Sequence, residues 1–228
     1  MSIKSEQIEI SSSDFGKMKD YVYEQLVAST VGDVGGNRMR WYPWHSAEYR
    51  FTHILNVISL STKIAQNEGA NIDQVRVSAL FHDIAKFSST QKDHAKDGAD
   101  LTSAYLRENF NFPDSFLENI HKIISNHVHD GSISHLSLEE RCLIEADMID
   151  KIGANGSTLL LLRMGYDSHP PAHIMETLQK VIKRGKETLP YISTDTGYSL
   201  AYQRIQRATW LKEWVEDETP GVSELPRN

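Results

Sequence analysis

The chain has 228 residues, of which 39% are hydrophobic and 24% charged, and its formal net charge is −7. This balance is typical of a folded globular protein and excludes a largely disordered chain or a disulfide-stapled mini-protein. Because no stretch is rich in lysine or arginine, we expect no extended nucleic-acid surface and no basic membrane-binding face. A small basic pocket for one phosphate group is compatible with this composition.

Cysteine content and hydropathy indicate the cellular compartment in which we expect the protein. Cys142 is the single cysteine and cannot form an intramolecular disulfide. Residues Met1 to Ile10 mix charged and polar residues where a signal peptide would be apolar. The longest aliphatic run, Leu159 to Leu162, is far shorter than the ~20 residues of a membrane-spanning helix. We therefore expect a cytoplasmic protein without membrane spans.

Apolar residues recur at helical spacing through most of the chain, and alternation with a period of two is rare. The pattern predicts an all-α fold. The predicted helices cover residues 14–28, 46–67, 71–87, 113–126, 137–152, 157–164, 174–187 and 198–217. A glycine-containing loop at residues 32–37 is interpreted as a connector, since it lacks the lysine of a phosphate-binding loop.

Local residues mark several helix ends. Gly69 is placed to end the second helix in the left-handed conformation. Asn71 with Gln74, and Ser137 with Glu140, have the spacing of capping boxes. Neither a repeat nor a low-complexity linker interrupts the pattern, so we expect one domain over residues 1–228.

Three helices carry polar residues on faces that otherwise appear buried. His53 shares a stripe with Val57, and the pair His82 and Asp83 follows a very apolar stretch, while Asp147 lies in an equally apolar segment. A buried unpaired carboxylate costs several kcal/mol, so such groups are normally paired, hydrogen-bonded or bound to metal. Taken singly, each could be a core histidine bonded to a carbonyl or a capping aspartate. Together they are the mixed nitrogen and oxygen ligands of Mn²⁺, Fe, Zn²⁺, Co²⁺ or Ni²⁺.

The same residues carry a family resemblance. Phe51-Thr-His53-Ile-Leu-Asn-Val57, Ala79-Leu-Phe-His82-Asp83-Ile-Ala-Lys86 and Glu145-Ala-Asp147-Met-Ile-Asp150-Lys-Ile-Gly153 resemble the HD-domain metal-dependent phosphohydrolases. The resemblance extends from about Glu48 to Arg163. It implies a compact HD-domain helical bundle, on which the helices within residues 172–217 pack. It also implies that His53, His82, Asp83 and Asp147 bind the metal.

Further residues extend the resemblance. Many family members carry extra histidines near the positions of His94 and His127, for a second metal or for the substrate phosphate. This chain has Asn126 before His127, where paired histidines are common, and Asn56 where an arginine often follows the first ligand. We therefore expect one metal ion, with His94, His127 and Lys86 binding phosphate. In the alternative interpretation, both histidines are surface residues and Lys86 is an exposed lysine at a helix end.

The resemblance implies hydrolysis of a phosphoester or phosphoanhydride, with Asp83 or Asp150 accepting the proton of the attacking water. Asp150 could instead hold a ligand histidine or pair with Lys151. The expected cofactor is a divalent transition metal (Mn, Fe, Ni, Co or Zn), with Mg also compatible. The expected partner is a small phosphorylated molecule, a nucleotide by resemblance.

Two other functions stay open at this point. One is a non-catalytic, regulatory HD module that binds a nucleotide, and the other is an HD-like di-iron oxygenase. The aromatic residues Trp41, Tyr42 and Trp44 precede the first ligand helix and could anchor the core or stack on a nucleobase. The oligomeric state does not follow from the sequence.

Overall fold

The computed structural model describes residues 8–31, 46–128 and 131–221. This part of the chain contains nine α-helices and no strand. In chain order they are α1 (Ser12–Val31), α2 (Ala47–Glu68), α3 (Ile72–Phe81), α4 (His94–Asn109), α5 (Asp114–Ser125), α6 (Leu138–Asp150), α7 (Gly153–Tyr166), α8 (Ile174–Thr188) and α9 (Asp195–Glu218). The predicted all-α fold is confirmed. The loop at 32–37 and the aromatic residues at 41–44 lie outside the described residues.

Side-chain caps fix the helix ends near the polar cluster. Ser46 accepts a hydrogen bond from the N–H of Tyr49 at the start of α2, and Gly69 ends this helix with a φ of 81°. The capping box of Ser137 and Glu140 opens α6 as predicted. Such caps satisfy backbone groups that a helix leaves unpaired at its ends, which explains why these boundaries follow from short sequence patterns.

The box predicted at Asn71 and Gln74 is only half formed. The Asn71 side chain accepts from the N–H of Gln74. The backbone N–H of Asn71, however, donates to Oε1 of Glu139 in α6 at 3.0 Å. A contact distant in sequence thus replaces the local one, and it ties the start of α3 to α6.

Helix α3 is shorter than predicted, since it ends at Phe81 rather than near Phe87. The carbonyl of Ala79 accepts a hydrogen bond from Nδ1 of His82 at 2.8 Å, and such side-chain bonds to the backbone compete with the helical ladder. Turns then follow, in which Lys86 donates its N–H to the carbonyl of Asp83. Asp83 therefore lies in a turn just beyond a helix.

Helix α4 was not predicted. Its buried face consists largely of small residues, including Ala95, Gly98 and Ala99. Small side chains give a weak hydrophobic pattern even where they are fully buried, because they allow close helix packing without large apolar groups. Helix α7 also begins earlier than predicted, at Gly153 instead of Ser157.

Two clusters of buried apolar residues hold the bundle together. One joins α1 with α4 and α5 and includes Met18, Phe81 and Leu106. The other joins α6 with α8 and α9 and includes Ile149 and Val181. Helices α2 and α3 contribute to both clusters, so the groups on these two helices lie at the junction. The single domain over residues 1–228 stays a prediction.

None of the helices described here combines the length and the apolar character that crossing a membrane requires.

Candidate metal centre

Four buried histidines present the same ring nitrogen toward one region. Nδ1 of His82, His94 and His127 each lies 2.7–2.8 Å from the carbonyl of the residue three positions earlier. A carbonyl only accepts, so Nδ1 must donate, and the neutral ring then has a lone pair on Nε2. Nδ1 of His53 lies 2.7 Å from Oδ2 of Asp150 and is fixed in the same way. All four Nε2 atoms are thus left as potential ligands.

His53, His82 and Asp147 form the first ligand group. One ligand atom from each lies within 4.8 Å of the other two. Nε2 of both histidines and Oδ1 of Asp147 are buried and make no hydrogen bond of acceptable geometry, although Oδ1 of Asp147 lies 3.1 Å from Nε2 of His53. Each unsatisfied buried polar atom costs about 1–3 kcal/mol. All three atoms offer a lone pair, and no hydrogen-bond donor satisfies them. A divalent cation fits such a set of atoms.

Asp83 lies between the four imidazoles and is almost fully buried. Its Oδ2 is 3.7 Å from Nε2 of His53 and 3.5 Å from Nε2 of His82. Its Oδ1 is 3.5 Å from Nε2 of His94 and 3.8 Å from Nε2 of His127. One carboxylate thus faces two pairs of histidines with its two oxygens.

Arg50 keeps Asp83 ionised. Its guanidinium lies 2.6 Å from Oδ2 of Asp83. Burial alone would raise the pKa of Asp83, but Arg50 and the surrounding imidazoles hold that pKa well below its usual value. Asp83 is therefore a carboxylate at neutral pH, able to bind a cation or accept a proton.

Asp83, His94 and His127 form a second ligand group with the same spacing limit of 4.8 Å. Nζ of Lys86 donates to Nε2 of His94 at 3.0 Å and lies 3.8 Å from Oδ1 of Asp83. In its neutral form each ring of this group offers the Nε2 lone pair to a cation, whereas in its protonated form Nε2 would donate to a phosphate oxygen. Burial lowers the pKa of Lys86, although Asp83 opposes this shift.

Helix α6 supplies two carboxylates, three residues apart, to opposite sides of one histidine. Oδ1 of Asp147 lies 3.1 Å from Nε2 of His53, and Oδ2 of Asp150 lies 2.7 Å from Nδ1. Burial would lower the pKa of His53, but these two carboxylates raise it above the usual value. Asp150 also accepts a hydrogen bond from Asn155 at 3.1 Å. Since Asp150 contacts the far nitrogen of the ring, its position fits holding a ligand histidine rather than accepting a proton from water.

The structure therefore brings together every site residue that the sequence singles out, and their roles stay predictions. A cavity of about 340 Å³ is lined by five of them. Its lining contains Asp83, Lys86, His94, His127 and Asp147, together with residues that were not predicted: Arg50, Gln91, Val128, Ile144, Met148 and Lys151.

Arg50 is a charged lining residue that sequence analysis missed, whereas Lys151 was considered there only as a partner of Asp150. Arg50 lies three residues before His53 on α2, and this spacing places both on one helix face. Lys151 follows α6 and pairs with Asp147 at 2.7 Å. The helical spacing could have identified Arg50.

Comparison with protein-family models identifies one match, in which residues 50–152 match the HD domain. No match to a curated protein was found. The matched segment includes every metal ligand proposed from the sequence and ends just before α7.

Solved structures show the same fold over most of the chain. A protein from Lactobacillus plantarum has 20% identity and a TM-score of 0.60, with 93% of this chain and 100% of that chain covered. An HD-superfamily hydrolase from Bacillus thuringiensis has 17% identity and a TM-score of 0.60, covering 90% and 98%. Bacillus subtilis YpgQ in complex with ADP has 18% identity and a TM-score of 0.57, covering 90% and 100%. At these identities, the similarity is one of fold.

Proposed function

We propose that the protein is a metal-dependent phosphohydrolase that cleaves a phosphoester or phosphoanhydride bond of a nucleotide, and the match of residues 50–152 to the HD domain supports this proposal. The observation that carries this proposal is the convergence of four imidazole Nε2 atoms on the buried carboxylate of Asp83. Two of those nitrogens and one oxygen of Asp147 have no hydrogen-bond partner. This donor set fits a divalent cation.

In the proposed centre, His53, His82, Asp83 and Asp147 hold one ion. When bound, a divalent ion supplies a Lewis acid for the phosphoryl oxygens and lowers the pKa of a water toward about 7. Asp150 keeps the Nε2 lone pair of His53 directed at the site through its bond to Nδ1.

The other residues of the cavity act on the substrate. Asp83 is ionised at neutral pH and would accept a hydrogen bond from the attacking water at a carboxylate oxygen, which orients the water and draws its proton toward Asp83. Arg50, Lys86 and Lys151 line the same cavity and would bind phosphate oxygens, stabilising the negative charge of the transition state. The solved complex of YpgQ with ADP supports a nucleotide as the ligand.

Replacement of Asp83 tests the proposal. We expect Asp83→Asn to lower the Mn²⁺-dependent hydrolysis of nucleotides by about 100-fold or more, since general-base catalysis alone contributes that much. Phosphate release from a panel of nucleoside mono-, di- and triphosphates, with and without Mn²⁺, measures the effect. Asp100→Asn is the matched control, because Asp100 is exposed and pairs with His121 on the outside of the bundle. Undiminished activity of a folded Asp83→Asn protein would refute the assignment.

Metal content separates the alternatives. One ion per chain supports the mononuclear centre, whereas two ions place the second at Asp83, His94 and His127, whose ligand atoms already lie together. Two iron atoms with oxidation of a substrate would favour the oxygenase. Nucleotide binding without metal-dependent turnover would favour the regulatory module.

A further inference from the structure

A smaller cavity adjoins the metal centre. It has a volume of about 140 Å³ and is lined by residues at the start of α2, by Lys151 between α6 and α7, and by residues on α7 and α8. The proposed metal ligand His53 is among the lining residues of α2. Tyr49, Leu159 and Leu160 supply its less polar walls. Arg50 and Lys151 line both this flanking cavity and the larger one that contains the catalytic groups. The two cavities are therefore neighbours around these two cations.

The flanking cavity is lined by cations and by no carboxylate. Of its three cations, Arg50 pairs with Asp83 and Lys151 pairs with Asp147, both in the larger cavity. Arg184 of α8 is exposed, and its side chain makes no ion pair or hydrogen bond with any residue in the described part of the chain. Its charge is therefore available to a ligand.

The charges of the two cavities do not balance. Two carboxylates, Asp83 and Asp147, line the two cavities together with four cationic side chains, an excess of two positive charges; the cations are Arg50, Lys86, Lys151 and Arg184. A divalent ion would add two more. A phosphate monoester carries about −1.5 to −2 charges at neutral pH. A single phosphate group thus leaves positive charge uncompensated, whereas a second anionic group would compensate it.

The size and walls of the flanking cavity suit a small anion. A water molecule occupies about 30 Å³ in the liquid, so the cavity has room for a phosphate group with some of its hydration. Arg184 lines the cavity and is also exposed to solvent, so an anion can reach its unpaired charge without any prior cost of burying that charge.

We propose that the flanking cavity is a subsite for a second anionic group of the substrate, and that Arg184 determines a preference for substrates with two phosphate groups over those with one. This inference rests on the proposed function, since the first phosphate lies at the metal centre. Arg184 thereby acts in substrate selection and takes no part in the chemical step.

Binding of ADP and AMP tests the proposal without turnover. Calorimetric titration in EDTA compares the intact protein with Arg184→Gln. We expect the variant to bind ADP about 10-fold more weakly, as the loss of a charge-assisted hydrogen bond implies, and to bind AMP within about twofold of the intact protein. Arg184→Lys keeps the charge and should restore part of the ADP affinity. The matched control is Lys183→Gln, since Lys183 precedes Arg184 and is highly exposed near Glu187.

A second variant tests the subsite without changing any charged residue. Leu160→Trp fills the cavity and should remove the preference for ADP over AMP while leaving the cations in place. In turnover with Mn²⁺, Arg184→Gln should raise the KM for ADP without changing kcat. Equal weakening of ADP and AMP, or no weakening of either, overturns the assignment of Arg184. Failure of the proposed function would give a different result. The intact protein would then release phosphate from no nucleotide with any metal, whatever the ratio of its affinities for ADP and AMP.

Discussion

Replacing Asp150 with asparagine tests whether metal binding depends on a residue that contacts a ligand histidine but is not itself a proposed metal ligand. Asp150 is 2% exposed, and its Oδ2 lies 2.7 Å from Nδ1 of His53. The change preserves size but removes the charge that fixes the ring. It also places an amide N–H₂ among the donors of His53, Asn155 and Arg204, where an acceptor is needed.

The expected effect follows from the role of such partners. Loss of a carboxylate behind a metal-bound histidine weakens metal affinity by about 10- to 100-fold, which corresponds to about 1.4–2.7 kcal/mol. Isothermal titration with Mn²⁺ measures it, at about pH 8.5, where protons compete least with the metal for a histidine. Asp167→Asn is the control, since Asp167 pairs with Arg163 at the end of α7 and lies outside the lining of both cavities. Unchanged Mn²⁺ affinity in Asp150→Asn would show that His53 does not depend on this bond.

Three further predictions concern stability. Burial lowers the pKa of His82 from 6.5 to about 3. Between these two pH values the unfolded chain binds this proton and the folded chain does not. The metal-free protein should therefore lose about 1.4 kcal/mol of unfolding free energy per pH unit from this group as the pH falls. His82→Gln should remove that part of the slope in urea denaturation, and an unchanged slope would contradict the pKa. Gly153 has a φ of 75° and its Cβ would lie 2.7 Å from Cβ of Arg204, so Gly153→Ala should cost about 1–3 kcal/mol. Gly165→Ala, where no neighbour lies within 4 Å, should instead stabilise by about 0.4–1 kcal/mol in the same denaturation assay.

The features that the sequence predicted well are those that depend on near neighbours. Ser46, Gly69 and the box of Ser137 and Glu140 act within one helical turn, so their effect is visible in a few residues. Helix α4 was not predicted because its buried face consists largely of small or polar residues, with Leu106 as its one large apolar side chain. Helix α3 ended early because the ring of His82 bonds to a carbonyl, which apolar spacing cannot reveal.

The residues of the site likewise divide into those that local sequence patterns predict and those that only tertiary packing brings in. His53, His82 and Asp147 stood out because each is polar on an apolar face, and the structure places them together. Arg50 has no such pattern around it, although helical spacing places it beside His53. Arg184 comes to the site through the packing of α7 on α8. Such long-range contacts are set by the tertiary fold and leave no local mark in the sequence.

The contact between α6 and His53 also has a consequence for assembly. Two aspartates one helical turn apart on α6 contact the two nitrogens of a single imidazole on α2. The same contacts therefore fix the axial alignment of α6 against α2 and orient the histidine that would bind the ion. A chain that folded with α6 displaced by one position would lose both partners of the ring together. Acquisition of a metal would therefore report, for each molecule, that these two helices have docked in the native alignment.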